Sequence, residues 1–127
     1  MQYRVAIIGS RDFYNFDFLE EKVKELMPKE PMEYIIVSGG ARGTDTLAEK
    51  FAEKYGYPKE IHKAKWHLHG KCAGYLRNHE IVRNADMVIA FWNGVSKGTK
   101  HTINIARNDS NRIVHIIRID DIPKGND

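Results

Sequence analysis

Two stretches of the chain run glycines into a Gly-Thr pair: Gly39-Gly40-Ala41-Arg42-Gly43-Thr44 and Gly94-Val95-Ser96-Lys97-Gly98-Thr99. These residue types suit an anion. Glycine lets a backbone approach closely, free N–H groups at a helix start point outwards, and the helix dipole favours negative charge there. Basic side chains accompany them: Arg42 in the first stretch, Lys97 in the second, and Arg11 in a further glycine turn, Gly9-Ser10-Arg11-Asp12-Phe13. The plainer alternative makes Thr44, Asp45 and Thr99 ordinary helix caps. Two converging Gly-Thr loops with three cations nearby favour phosphate.

A further group lies in Ala73-Gly74-Tyr75-Leu76-Arg77-Asn78. A glycine near a helix start costs about 1 kcal/mol against alanine, so something close by needs the room. Arg77 has two readings from spacing alone: a surface charge pairing with Glu80 or Glu20, or a bidentate hold on a phosphate across the strand ends. Asp12 and Asp45 are the acids near the glycine loops. His67-Leu68-His69 has no adjoining carboxylate or third His, so two solvated histidines are expected there and no metal. Cys72 has no His/Asp partner spacing and reads as packing. No GxxxxGK[ST], strict GxGxxG or GxSxG is present, which excludes a P-loop NTPase and leaves a NAD-type fingerprint and a nucleophile elbow without support. No cofactor is expected.

The elements that position these residues follow from hydrophobic period. Apolar, β-branched runs at residues 3–8, 34–37, 59–64, 87–91 and 113–119 read as strands. Helical spacing appears in Leu19, Val23, Leu26 and Met27, closed by Pro28. It appears again in Leu47, Ala48, Phe51, Ala52 and Tyr55, and over residues 73–85 and 99–107. Residues 65–71 read as a polar loop and 121–127 as a frayed end. Strands alternating with amphipathic helices predict an α/β fold: one Rossmann-like, three-layer domain over residues 1–127, with a mainly parallel five-stranded sheet and helices on both faces. The glycine stretches, both tryptophans and most of the named cations then fall on the edge where the strands end, which is where parallel sheets bind ligands. The opposite edge carries plain charged turns, at 29–31 and 108–112.

Composition sets the outer limits. The chain has 127 residues, 42% hydrophobic and 29% charged, and a formal net charge of +3. That suits one globular domain and permits anionic partners without demanding them. A single cysteine excludes an internal disulfide. No apolar run has the roughly 18–20 residues of a membrane span. No basic n-region and apolar h-region open the chain, so the cytoplasm is the expected address and no membrane partner is expected.

The ordered series Gly9-Ser10-Arg11-Asp12-Phe13, Val37–Asp45, Ala73-Gly74-x-x-Arg77-Asn78, Ala85-Asp86 and Gly94-x-Ser96-x-Gly98-Thr99 resembles the SLOG superfamily, in its YspA/YpsA-related branch. The resemblance covers nearly the whole chain. It implies a Rossmann-like fold that binds a nucleotide or nucleotide-derived ligand. In that frame the backbone of Gly39–Thr44 and Gly94–Thr99 cradles phosphates, with Gly9 and Ser38 opening two of the loops. Arg11, Arg42 and Arg77 neutralise the phosphates, Ser10 and Asn78 orient a ribose or phosphate, and Trp66 or Trp92 stacks on the base. Lonely guy phosphoribohydrolases resemble residues 77–102. Their catalytic arginine matches Arg77, but the glutamate of their glycine motif falls on Thr102 and is missing. Glycosidic cleavage would then draw its carboxylate from Asp12 or Asp45. The core of the DNA-processing protein DprA has similar stretches, which makes single-stranded nucleic acid the alternative partner. Relatives often dimerise, so a homodimer is compatible with the resemblance.

Overall fold

The computed structural model describes residues 1–30, 32–109, 112–123 and 125. Val5, Ala6 and Ile7 are fully buried in strand β1, Gln2–Gly9. A strand without a polar side can only lie inside a sheet covered on both faces. Around it run β2 (Glu33–Ser38), β3 (Lys59–Ile61), β4 (Met87–Trp92) and β5 (Ile113–Arg118), all parallel, in the order β3-β2-β1-β4-β5. The expected α/β class and five-stranded parallel sheet are what the chain adopts.

Alternation along the strands divides the core. Val5, Ile7, Ile36, Met87, Ile89 and Phe91 face helices α1 (Phe16–Leu26) and α2 (Thr44–Tyr55), meeting Leu19, Val23, Leu47 and Phe51. Ala6, Ile8, Val37, Val88 and Ala90 face the other way, onto Ile81, Val82, Ile103 and Ala106. Those four residues belong to α4 (Ala73–Asn84) and α5 (Lys97–Arg107), the helices that follow the short α3 (Trp66–His69). The chain leaves β1 for one face and β4 for the other. A crevice therefore opens between the ends of these neighbouring strands, at the topological switch point.

Several boundaries differ from the sequence expectation. β3 stops at Ile61 instead of running to residue 64. Its neighbour β2 ends at Ser38, whose carbonyl takes the last bond, from His62 N–H at 2.9 Å. The polar stretch 65–71 holds α3 and opens a 3₁₀ turn, Gly70–Cys72. Neither buries a residue, so neither has the apolar period by which a helix is recognised in sequence. Leu68, next to Trp66 on α3, and Tyr75 and Leu76 on α4 are also exposed. Of the 121–127 end, residues 124, 126 and 127 lie outside the described residues, as do 31 and 110–111 of the opposite-edge turns. Asn15 donates to the carbonyl of Pro123 at 2.9 Å. Among the described residues no helix is long and apolar enough to cross a membrane.

Candidate functional site

Ser10 lies under the crevice. Its N–H donates to Phe91 O (3.0 Å), its Oγ accepts from Asn93 N–H (3.2 Å), and its carbonyl accepts from both Thr44 N–H (3.2 Å) and Thr44 Oγ1 (2.9 Å). It is 1% exposed. Thus Ser10 and Thr44, expected to meet a ligand, lock the loops after β1, β2 and β4 together. Thr44 opens α2 with Gly43 as the cap, and Ser96 rather than Thr99 caps α5, its Oγ accepting from Thr99 N–H. A Cβ on Gly9 would overlap the carbonyl of Phe91, so only glycine lets β1 and β4 close at this point.

The loop from Ser38 to Thr44 is filled by an anion of the protein's own. Asp45 is buried, and its Oδ2 accepts from Ala41 N–H at 3.1 Å. The backbone of Gly39 also favours the charged form of this carboxylate. Gly40 N–H donates to Ser38 Oγ at 3.2 Å, and that hydroxyl donates to Glu49 Oε2 at 3.3 Å. The glycine turn is therefore a nest of backbone donors, but a carboxylate sits where the sequence reading places a phosphate. Burial pushes the Asp45 carboxyl up from 3.8 to about 6. The backbone of Ala41, the charge of Arg77 and the backbone of Gly39 pull it down in part, and Glu49 pushes it further up.

Arg77 reaches this loop from the first turns of α4. Its Nη1 donates to the carbonyl of Gly39 at 2.6 Å and its Nε to Asn78 Oδ1 at 3.0 Å. Asn78 is buried and anchored in turn, its Nδ2 donating to Gly98 O at 3.3 Å with His101 Nδ1 at 3.2 Å. A Cβ on Gly39 would stand 2.6 Å from Arg77 Nη1, so the close approach requires a glycine. Arg77 thus crosses the strand ends to a carbonyl of the chain itself. Burial lowers its basicity and Asp45 raises it, while the like charge of Arg11 lowers it again.

These residues divide two adjoining hollows. A slot of about 60 Å³ is lined by Gly9, Asp45, Asn78, Ser96, Gly98 and Thr99 among others. An open bay of about 410 Å³ is lined by Gly39, Gly40, Arg42, Lys63, Ala64 and Trp66. Arg11, Ala41 and Arg77 belong to both walls. The bay's size falls within the roughly 300–1,000 Å³ of small-molecule sites.

The two tryptophans differ. Trp66 is 54% exposed on the bay wall. Trp92 is partly buried, its indole N–H donates to Ser96 O at 3.1 Å, and the Arg118 guanidinium lies 5.3 Å from its ring centre. It lines neither hollow, so of the two expected stacking faces only that of Trp66 is presented to the site. Gly94 also turns to Arg118, at φ +88, and Asn93 Oδ1 takes the N–H groups of Val95 and Ser96, each at 2.9 Å. Asp12 is exposed and lines neither hollow. His67, His69 and Cys72 are exposed, and no group of three or more metal-binding side chains occurs among the described residues. Sequence reasoning missed Lys63 and Thr102, which line the bay and the slot respectively. Placing residues 62–64 inside a strand hid the signal for Lys63, a lysine just past a strand end.

A parallel sheet of this order with its crevice at the β1/β4 switch point defines a Rossmann-like α/β protein. The chain belongs to the YspA, cpYpsA-related SLOG family, whose model matches residues 3–69. It is similar to the Gene 61 protein of Mycobacterium phage D29, with 38% identity over 110 residues, covering 82% of this chain and 88% of that protein. No solved structure matches it.

Proposed function

We propose that the chain binds a nucleotide or nucleotide-derived phosphorylated ligand at the strand-end edge, across the slot and the bay. The observation that carries this reading is Arg77, held by Gly39 O and Asn78 Oδ1 in the wall common to both hollows, with Arg11 beside it. A guanidinium ordered in this way is ready for a bidentate anion at little further entropic cost. Trp66 offers an aromatic face on the same bay, and SLOG membership is consistent with nucleotide-related ligands. The test is calorimetry and thermal shift of the full chain against nucleoside mono-, di- and triphosphates, NAD, ADP-ribose and cyclic nucleotides. A ligand at about 100 times its Kd adds about 2.7 kcal/mol of stability, so a selective rise in Tm is the expected result. A screen without any shift overturns the reading.

Asp45 supports a second reading, a hydrolase acting on a nucleotide bond. It is the carboxylate lining the slot, and its pKa of about 6 lies near the range useful for proton transfer. Release of free base or phosphate by the wild type, abolished in Asp45→Asn, would establish it. A DNA strand bound along the same edge would instead show an affinity falling by about 0.7 log units per phosphate contact per decade of salt.

A further inference from the structure

We propose that the bay takes two adjacent phosphoryl groups of one ligand, the pyrophosphate unit of a nucleoside diphosphate or its derivative, between Arg11, Arg42, Lys63 and Arg77. The inference rests on the nucleotide reading above and adds the number and place of the charges. The 39–43 loop carries the argument. Its donors at Gly40 and Ala41 already have internal acceptors in Ser38 and Asp45. Its glycines do something else: each makes room for a basic residue. Gly39 admits the Arg77 guanidinium. A Cβ on Gly40 would stand 2.8 Å from Lys63 Cγ, so the lysine stem lies across that residue. Gly43, at φ +74, packs directly on the backbone of Arg11, where any Cβ would overlap the Arg11 carbonyl. Arg42 belongs to the loop itself. The turn therefore gathers cations by the absence of side chains.

The charge count sets the class. Among the described residues, Arg11, Arg42, Lys63 and Arg77 all line the bay, and no carboxylate does. None of the four enters a salt bridge among the described residues, whereas Arg4, Lys54, Lys59 and Arg118 elsewhere each hold a carboxylate. Asp45 already opposes the charge of Arg77 from the slot side, and one phosphate monoester carries about −1.5 to −2, which together still leave part of this charge unanswered. Two linked phosphoryl groups come closer to matching it. The slot shares Arg11 and Arg77 with the bay but lacks Arg42 and Lys63, and adds hydroxyls, the Asn78 amide and an acid, which suit an uncharged polar part of the ligand.

The test is calorimetry of the full chain with AMP, ADP, GMP, GDP and inorganic pyrophosphate. The diphosphate is expected to bind at least about tenfold tighter than the monophosphate of the same base, the worth of one charge-assisted hydrogen bond. Arg42→Ala and Lys63→Ala, both at exposed side chains, are each expected to reduce that ratio several-fold and together to remove it, with the circular dichroism spectrum and Tm unchanged. Binding by pyrophosphate alone supports the placement of the phosphoryl pair. Equal affinity for mono- and diphosphate, or a ratio that survives the double variant, overturns this inference and leaves the nucleotide reading standing. Absence of binding by all five probes, with the wider nucleotide screen also flat, overturns both.

Discussion

Replacing Asp45 by asparagine is expected to stabilise the protein at neutral pH, and to do so progressively less as the pH falls. Asp45 is 6% exposed, and burial raises its carboxyl from 3.8 to about 6. A carboxyl raised on folding prefers to be neutral in the native state. Its contribution to stability is fully present below about 3.8 and is lost as pH rises through about 6. A gap of about two pH units, at about 1.36 kcal/mol each, comes to about 3 kcal/mol lost by pH 8. At pH 4.5 only about 1 kcal/mol of it is lost by the same linkage. Asparagine keeps an oxygen for the Ala41 N–H, which Oδ2 accepts at 3.1 Å, and never ionises. The assay is urea unfolding of wild type and Asp45→Asn at pH 4.5 and 8. Glu20, Glu53 and Glu60, whose carboxyls are lowered by Lys54, Lys59 and Arg4 with His62 respectively, destabilise both proteins alike in acid and cancel in the difference. The variant's gain should be about 2 kcal/mol larger at pH 8 than at pH 4.5. An equal gain at both pH values, or a loss at pH 8, refutes the reasoning: the loop donors and Arg77 would then compensate the ionised form in full. The predicted outcome would mark Asp45 as kept for something other than stability, since natural sites often hold destabilising groups for function.

Three further outcomes follow from the site. Arg77→Ala should weaken nucleotide binding by about 1.5–3 kcal/mol, and Arg77→Lys should recover only part of it because one ammonium cannot hold Gly39 O, Asn78 and a bidentate anion together; titration calorimetry of both variants checks this. Trp66→Ala should cost about 1–3 kcal/mol of affinity if the base stacks there, while Trp92→Ala should lower Tm and leave the affinity of the remaining folded protein unchanged. Gly43→Ala and Gly56→Ala differ in thermal melts through collision and through backbone strain, since Gly43 lies at ψ −124 and Gly56 at ψ 23, in the left-handed region. Both glycines have positive φ, +74 and +71, but only at Gly43 would the new Cβ meet backbone. Gly56→Ala should therefore cost about 1–2 kcal/mol for the left-handed conformation, and Gly43→Ala clearly more.

The sheet was legible because its signals are local. Residues 87–91 are apolar without a break and sit in a strand covered on both faces; Leu47, Ala48, Phe51 and Ala52 repeat at the helical period and line the face of α2 turned to the core. The crevice was legible from strand order alone, since it lies where consecutive connections leave for opposite faces. The partners within it were not. Ser10 and Thr44 stand 34 residues apart, and Arg77 and Gly39 stand 38 apart. Residue type shows that a hydroxyl or a guanidinium is available, and only the fold decides whether it meets a ligand or another loop. Hence Ser10 and Thr44, plausible ligand contacts by type, became the lock between loops. Trp92 was spent on Ser96 and Arg118. α3 escaped detection for the opposite reason, having no buried face to imprint a period.

The position of the site's carboxylate bears on whether turnover is expected. The resemblance to phosphoribohydrolases puts an acid at position 102, on α5, and this chain has Thr102 there, 2% exposed and donating to Gly98 O at 3.2 Å. A hydroxyl tied back to its own helix carries no charge to set against an oxocarbenium-like centre. The acid lining the slot comes instead from α2, across the crevice, and it is turned into the 39–41 backbone. To act on a bound ligand, Asp45 would have to leave the Ala41 donor, and that part-buried N–H would lose its partner at about 1–3 kcal/mol. A ligand phosphate could take that place only by displacing the carboxylate. Four cations on the bay side offer anions a route that needs no such exchange. On this balance the arrangement favours holding a ligand over cleaving it, and product release by the wild type, lost in Asp45→Asn, is the measurement that weighs the two.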